Sequence, residues 1–298
     1  MSAAELQGAV SRALAQAGYA GNSEVVRLCP AAGGAINTAH TAWMADGAQL
    51  FVKSHAAEPG LSREETLAMF EAERTGLELL RASGCIRVPE PLAVGELAGG
   101  AFLVMEHIAL QPLRDQRRLG EQLAAMHLAP GPAHFGLDAD NWVGSTPQPN
   151  GWYVDWVDLL RDRMRFQLDR AQLAGAAAEK GWELLRRLPG FFAGVDVRPS
   201  LVHGDLHAHN FAADEHGAPV IYDPAVYWGH HESELGIMRL FGGYTAAFAD
   251  AYHWRIPRAP GFERRAAVYK LYHALNHYNL FGAAYLGLCE ELLEELVG

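Results

Sequence analysis

Cysteine, positive charge and long apolar runs are all scarce in this chain of 298 residues, and each shortage removes a class of function. The 3 cysteines, Cys29, Cys85 and Cys289, are far apart and odd in number. They offer neither a disulfide framework nor a paired-cysteine zinc site, and they suit a reducing cytosol. Lys and Arg total 24 against 35 Asp and Glu, a formal net charge of -11. A chain this acidic lacks the basic face that a nucleic-acid backbone requires, although local positive groups can still hold ATP. No apolar run approaches the length that spans a bilayer. Met1 to Ala20 carry an acid at Glu5 and no long apolar core, so no signal peptide is expected. The expectation is a soluble cytoplasmic protein with no membrane or nucleic-acid partner. The composition, 50% hydrophobic and 20% charged, is ordinary for a globular chain long enough for one large or two modest domains.

Periodicity gives a coarse plan. Residues 1–18 read as an amphipathic helix, followed by strand-like pieces at Val25–Cys29, Thr38–Met44 and Gln49–Val52. Between the first two, Gly33 and Gly34 permit either a hairpin turn or a close backbone approach to something bulky. Phe51-Val52-Lys53 sets a single lysine at the end of an apolar strand. Ser62-Arg-Glu-Glu65 is a capping box, and Leu67, Phe70, Leu77 and Leu80 then recur at helical spacing. Glu73 lies near that buried face. A strand lysine facing a helix glutamate is the pair that orients lysine on nucleotide phosphates, while a solvated acid on a charged helix is the alternative. Ala101–Met105 reads as a buried strand that ends at Glu106-His107-Ile108, and a boundary is expected near residue 110. Beyond it the pattern is mainly helical: Leu113–Leu128, two helices within Trp152–Leu188, and further helices near 231–240, 245–254, 262–285 and 287–297. Residues 129–151, rich in Gly, Pro and Asn, read as a loop.

The chemistry concentrates in Leu201–Asn210 and Val220–Ala225. Asp205 and Asn210 stand five residues apart on a loop, and Asp223 follows Asp205 by eighteen, with short apolar runs bracketing both acids. A kinase-type phosphoryl-transfer site has this layout. An aspartate accepts the proton of the attacking hydroxyl, while an amide oxygen and a second carboxylate hold magnesium on the nucleotide phosphates. Magnesium requires such hard oxygen donors. Asp and Asn are also common turn residues, and His203, His207 and His209 with His230 and His231 leave open a transition-metal site of a hydrolase.

The residues His203-Gly-Asp-Leu with Asn210, then Asp223-Pro-Ala-Val-Tyr227-Trp-Gly229-His230 with Glu232, resemble the fructosamine kinase (ketosamine-3-kinase) family. That family belongs to the aminoglycoside-phosphotransferase and choline-kinase group of protein-kinase-like folds. The resemblance covers most of the chain, through Gly33-Gly34-Ala-Ile36, Phe51-Val-Lys53, Met69–Glu73, Leu119-Gly with His127, Trp152 with Trp156, Phe241-Gly-Gly243 and Leu271–His277 with Asn279–Gly282. The His-Gly-Asp element is common to the whole group. The Asp-Pro-Ala-x-Tyr-x-Gly-His and Leu-Asn-His-x-Asn-x-Phe-Gly elements are more particular to fructosamine kinases.

The resemblance implies an α/β, two-lobed kinase-like fold. A small antiparallel-sheet lobe would bind nucleotide over residues 1–110, and a larger, mainly helical catalytic lobe would cover 111–298. It implies that Asp205 is the base and that Asn210 and Asp223 are magnesium ligands. Lys53, held by Glu73, would contact ATP beneath the loop of Gly33 and Gly34, and Glu106, His107 and Ile108 would face adenine. His203 would brace the loop. Beyond the resemblance, His207 stands beside the base, and Tyr227, His230, Glu232 and His277 are candidate polar liners of the substrate pocket, with a satisfied structural role for each as the alternative. The implied reaction is transfer of the γ-phosphate of ATP to a ketosamine hydroxyl, the sugar 3-hydroxyl, on a small amine or a glycated protein lysine. The role would be deglycation repair. A kinase for an aminoglycoside, choline or a plain sugar would share the same catalytic residues, and a non-catalytic nucleotide-binding module is the third alternative. One departure is local. The family reads His-Gly-Asp-Leu-Trp-Ser-Gly-Asn, and here His207, Ala208 and His209 replace Trp, Ser and Gly, which bears on how the sugar is held.

Overall fold

The computed structural model describes residues 2–31, 37–56 and 61–298. The first helix, α1 (Ala3–Gln16), opens on a capping box in which Ser2 and Glu5 satisfy each other's backbone N–H groups. Then come β1 (Val25–Pro30), β2 (Thr38–Met44), β3 (Gln49–Ala56), α2 (Arg63–Ala82), β4 (Pro91–Leu97) and β5 (Gly100–Glu106). The strands form one antiparallel sheet in the order β1-β2-β3-β5-β4. Helices cover both faces. Phe102 and Val104 of β5 pack with Leu6, Val10 and Leu14 of α1. Ala101, Leu103 and Met105 pack with Met69, Phe70 and Leu77 of α2. The run from Ala101 to Met105 shows no polar alternation because neither of its faces meets water.

The same two-residue period places the site. Leu50 and Val52 of β3 turn toward α1, so Phe51 and Lys53 turn toward α2. The strand runs on to Ala56, four residues past the expected end at Val52, so Lys53 is mid-strand. Strand β4 escaped the sequence reading because Pro91 and Gly95 interrupt it. It sits at the sheet edge, where the N–H missing from proline costs no ladder bond.

The remainder is α3 (Arg117–His127), β6 (Phe135–Leu137), β7 (Asn141–Val143), β8 (Thr146–Gln148), β9 (Gly151–Tyr153), α4 (Trp156–Ala171) and α5 (Gly175–Phe191). After these come β10 (Ser200–Val202), β11 (Phe211–Ala213), β12 (Pro219–Ile221), β13 (Tyr227–Gly229), α6 (Glu232–Phe241), α7 (Ala246–Arg255), α8 (Phe262–Phe281), a 3₁₀ turn (Gly282–Tyr285) and α9 (Leu286–Val297). Residues 129–151 are therefore more than a loop: they hold three short strands and begin a fourth. Three-residue strands are too short to show an alternating pattern. Helix α3 starts four residues later than expected, and just before it the Gln116 side chain donates to the Gly243 carbonyl (2.8 Å) and accepts from the Thr245 N–H (2.9 Å).

The sheet is fastened to the helical part around Arg87, Glu106 and Gln111. Gln111 exchanges backbone hydrogen bonds with Ala213 of β11 (2.8 and 2.7 Å), and the Ile221 N–H of β12 donates to the Arg87 carbonyl (3.0 Å). The Arg87 guanidinium bridges Glu106 (2.8 Å) and Asp214 (2.7 Å). One apolar core underlies this junction, joining Phe70 and Leu77 of α2 to Leu123 of α3, Leu206, Ile221 and Met238 of α6. Among the described residues no helix is long and apolar enough to cross a membrane.

Candidate active site

Strand β10 delivers the chain to a loop whose backbone is fully committed. The His203 N–H donates to Glu234 Oε2 (2.5 Å) and the Gly204 N–H to Glu234 Oε1 (3.2 Å), both within the buried first turn of α6. The Ala225 N–H donates to the His203 carbonyl (2.8 Å), and the Tyr222 N–H to the Asn210 carbonyl (3.1 Å). Those bonds stitch the loop after β10 to the segment after β12, which puts Asp205 and Asp223 side by side. His203 Nε2 meets the Tyr222 carbonyl at 2.9 Å and so carries the proton, while its Nδ1 accepts from the Asp205 N–H (3.3 Å). Burial holds this imidazole below its usual pKa, and it braces the loop as a neutral ring.

Two backbone positions are forced. Gly204 has φ +83°, and a Cβ there would lie 2.1 Å from the Ala225 carbonyl oxygen, so only glycine fits. Asp223 has φ +58° without being glycine. Such strain persists where neighbouring contacts over-determine it, and here Lys53 Nζ grips Asp223 Oδ1 at 2.9 Å.

Lys53 also reaches Glu73 Oε1 of α2 at 2.7 Å. Burial by itself would pull the ammonium down, but Asp223 and Glu73 together outweigh it and hold Lys53 charged, above its ordinary pKa. Asp205 moves the other way. Burial first, then the charges of Asp223 and Glu234, raise its carboxyl well above the usual range. Asn210 donates its Nδ2–H to the Asp205 carbonyl (2.9 Å). The same amide nitrogen lies 3.4 Å from Asp205 Oδ2, and among the described residues Asn210 Oδ1 accepts no hydrogen bond.

These groups line a cavity of about 910 Å³. Phe51, Met105, Ile108 and Leu110 line it with apolar side chains beside Glu106 and His107 at the end of β5. Lys53, Glu73, Asp205, Asn210 and Asp223 supply the polar groups, and Trp142, His207, Phe241, His277 and Phe281 line it as well. An amine fixed by two carboxylates, a carboxylate with high proton affinity and an oxygen-only donor pair can accept a hydroxyl proton and hold a metal-bound polyphosphate.

The structure thus brings Lys53, Glu73, Glu106, His107, Ile108, Asp205, His207, Asn210, Asp223 and His277 to one cavity. Gly33 and Gly34 lie outside the described residues. Tyr227, His230 and Glu232, expected as pocket liners, are absent from its walls. The Tyr227 ring lies between Trp156 and the Arg163 guanidinium, its hydroxyl 3.0 Å from Ser233 Oγ. His230 Nδ1 meets the Tyr269 hydroxyl (2.7 Å), and both Glu232 oxygens pair with Arg265 (2.7 and 2.8 Å). They follow β13 into the interior, where a polar type in sequence satisfies another buried polar group. A hydrolytic metal site meets the same obstacle. Among the described residues the one cluster with ligand spacing is His230-His231-Glu232, and Arg265 already occupies its carboxylate. Sequence reasoning missed Glu234. Acids in the first turn of a helix are legible, but a contact to backbone thirty residues upstream carries no local signal.

Four matches to known proteins stand out. The sequence model of the family described as fructosamine kinase matches residues 9–298. The chain is 40% identical over 270 residues to a chloroplastic protein-ribulosamine 3-kinase of Oryza sativa subsp. japonica, covering 88% of this chain and 76% of that one. The crystal structure of a fructosamine-3-kinase candidate from Haemophilus somnus 129PT superposes with TM-score 0.85 over 98% of this chain and 97% of that one, at 23% identity. A mutant aminoglycoside phosphotransferase in ternary complex with ADP and hygromycin B gives TM-score 0.62 at 16% identity, covering 92% and 96%. At these identities the two structures establish a shared fold of protein-kinase-like phosphotransferases.

Proposed function

The chain belongs to the fructosamine kinase family and is an ATP-dependent phosphotransferase, and from that premise we propose that it phosphorylates the sugar 3-hydroxyl of ketosamine adducts. The acceptor is a fructosamine or ribulosamine on a protein lysine or a small amine, and the role is deglycation repair, because the phosphorylated adduct breaks down and frees the amine. The observation that carries this reading is the convergence on one cavity of the Lys53-Glu73-Asp223 network with Asp205 and Asn210. We divide the lobes near residue 110, between β5 and α3. We assign the protein to the cytoplasm, in keeping with three free cysteines.

In this reading Asp205 takes the proton of the acceptor hydroxyl as its oxygen attacks the γ-phosphorus. The bond from that phosphorus to the β–γ bridging oxygen breaks, and ADP leaves. The high proton affinity of the buried Asp205 carboxylate suits it to this step. Lys53, held charged by its two carboxylates, pairs with the phosphates, and the hinge backbone at Glu106–Ile108 faces adenine. Asn210 Oδ1 and the Asp223 carboxylate form a hard-oxygen pair that fits magnesium, which when bound would supply charge stabilisation for the phosphate oxygens.

The test is an ATP-consumption panel of fructosyl-lysine, ribulosyl-lysine, an aminoglycoside, choline and plain hexoses, with the product phosphate located by NMR. At least tenfold higher kcat/KM for a ketosamine, with phosphate on the 3-oxygen, supports the reading. Preference for any other member overturns it.

A further inference from the structure

His207 lines the cavity beside Asp205, and its surroundings fix the position of its proton. The His209 backbone N–H donates to His207 Nδ1 at 3.2 Å. A nitrogen that accepts carries a lone pair, so in the neutral ring the proton resides on Nε2. Edge-on contacts to Phe241 (5.6 Å) and His209 (5.7 Å) hold the ring in place.

From there Nε2 lies 4.0 Å from Asp205 Oδ2, with both side chains on the cavity wall and partly open to it, 21% and 17% exposed. That separation is too long for a direct hydrogen bond. A single oxygen about 2.8 Å from each would close it, the two bonds meeting at roughly a right angle. Only an oxygen that accepts from Nε2–H while donating to the carboxylate satisfies both sides. A hydroxyl does this.

We propose that His207 Nε2–H and the Asp205 carboxylate clamp the attacking hydroxyl of the acceptor between them, making His207 the residue that decides which sugar hydroxyl reacts. The proposal rests on Asp205 serving phosphoryl transfer, and it holds for whichever hydroxyl compound is the acceptor. The hydroxyl proton passes to Asp205. One oxygen lone pair forms the bond to the γ-phosphorus as the bridging bond to ADP breaks, and the other lone pair accepts from His207. The imidazole keeps its proton throughout.

Two substitutions separate the donor from the ring. His207→Phe keeps a ring and removes the donor, whereas His207→Gln places an amide N–H near the position of Nε2. Steady-state kinetics, product NMR and melting temperature are read for the full-length protein with its best acceptor. The expected result for His207→Phe is at least a tenfold loss of kcat/KM for the acceptor, an ATP KM within twofold of wild type, and phosphate on more than one hydroxyl. His207→Gln should restore a single product and most of the kcat/KM. Calorimetry on the wild type adds a readout independent of either variant folding: an acceptor deoxygenated at the reacting position should bind at least tenfold more weakly than its parent. Unchanged acceptor kinetics in His207→Phe, failure of Gln to rescue at equal melting temperature, or equal binding of the deoxy acceptor overturns the clamp. If the wild type phosphorylates some hydroxyl compound but no ketosamine, the proposed substrate falls and the clamp is tested on that compound. If it phosphorylates nothing, both fall.

Discussion

At the scale of single residues, Asp205 carries the most weight. Its raised pKa has two consequences of opposite sense. As a base it must be ionised, so kcat should fall as pH drops through a value above the usual carboxylate range. As a half-buried acid whose folded pKa exceeds the unfolded one, it contributes stability at low pH that is lost as pH rises through the folded pKa. Asp205→Asn should therefore lower kcat by about 10²–10⁴-fold while raising the melting temperature of the nucleotide-free protein at neutral pH. That gain should vanish below the ordinary carboxylate range. A pH series of melting curves beside the pH–rate profile checks both signs. That Lys53, Glu73, Asp205, Asn210 and Asp223 would be grouped was legible in part, from the five-residue spacing of Asp205 and Asn210 and from a strand lysine followed by a helix glutamate, and the five line one cavity. For Tyr227, His230 and Glu232 the sequence left open a pocket wall or a structural role, because it gives a polar type without its direction. All three turn inward, to Ser233, Tyr269 and Arg265.

At the scale of elements, the site depends on how two short segments are laced together. The Gly204 backbone lies against the Ala225 carbonyl so closely that a Cβ would come within 2.1 Å. Gly204→Ala would push the Asp205 segment away from the Asp223 segment. A displacement near 1 Å in a reacting group costs about 10²-fold in rate, and that is the kcat loss expected. ATP affinity should change much less, because Lys53 and Glu73 sit on β3 and α2. Stopped-flow nucleotide binding alongside turnover distinguishes the two. The longer elements were readable: the Ser62 capping box opens α2 as its residues indicate, and its stripe of Phe70, Leu77 and Leu80 is buried. Strands β6 to β9 and the edge strand β4 were not. Three residues cannot display a period, and Pro91 is tolerated only because its strand lies at an edge.

At the scale of the whole molecule, two parts meet over a shared core and a polar seam. Strand-like pieces among helices, followed by a helical remainder, were legible in the periodicity, whereas their joining into one antiparallel sheet was implied by the family resemblance. The buried cross-links were not, since they join residues far apart in sequence. Glu232 with Arg265 is the clearest, an ion pair whose side chains are 1% and 0% exposed. Removing one partner strands the other charge, so Glu232→Ala should cost about 3–5 kcal/mol in stability, read by urea unfolding. Neither residue lines the cavity. The KM values for ATP and acceptor should therefore stay at wild-type levels where the variant is folded, and a rise in either would restore Glu232 to the substrate pocket.

The central claim, that Asp205 directs a phosphoryl group from ATP to a ketosamine hydroxyl, is tested most directly by one single-turnover measurement. Enzyme in excess over ATP labelled in its γ-phosphate is mixed with fructosyl-lysine, and the label is followed into products for wild type and Asp205→Asn. The account predicts label on the sugar 3-oxygen with wild type, and transfer slowed at least a hundredfold in the variant while ATP remains bound. Label released as inorganic phosphate, or transfer at equal rates in the two proteins, would contradict it.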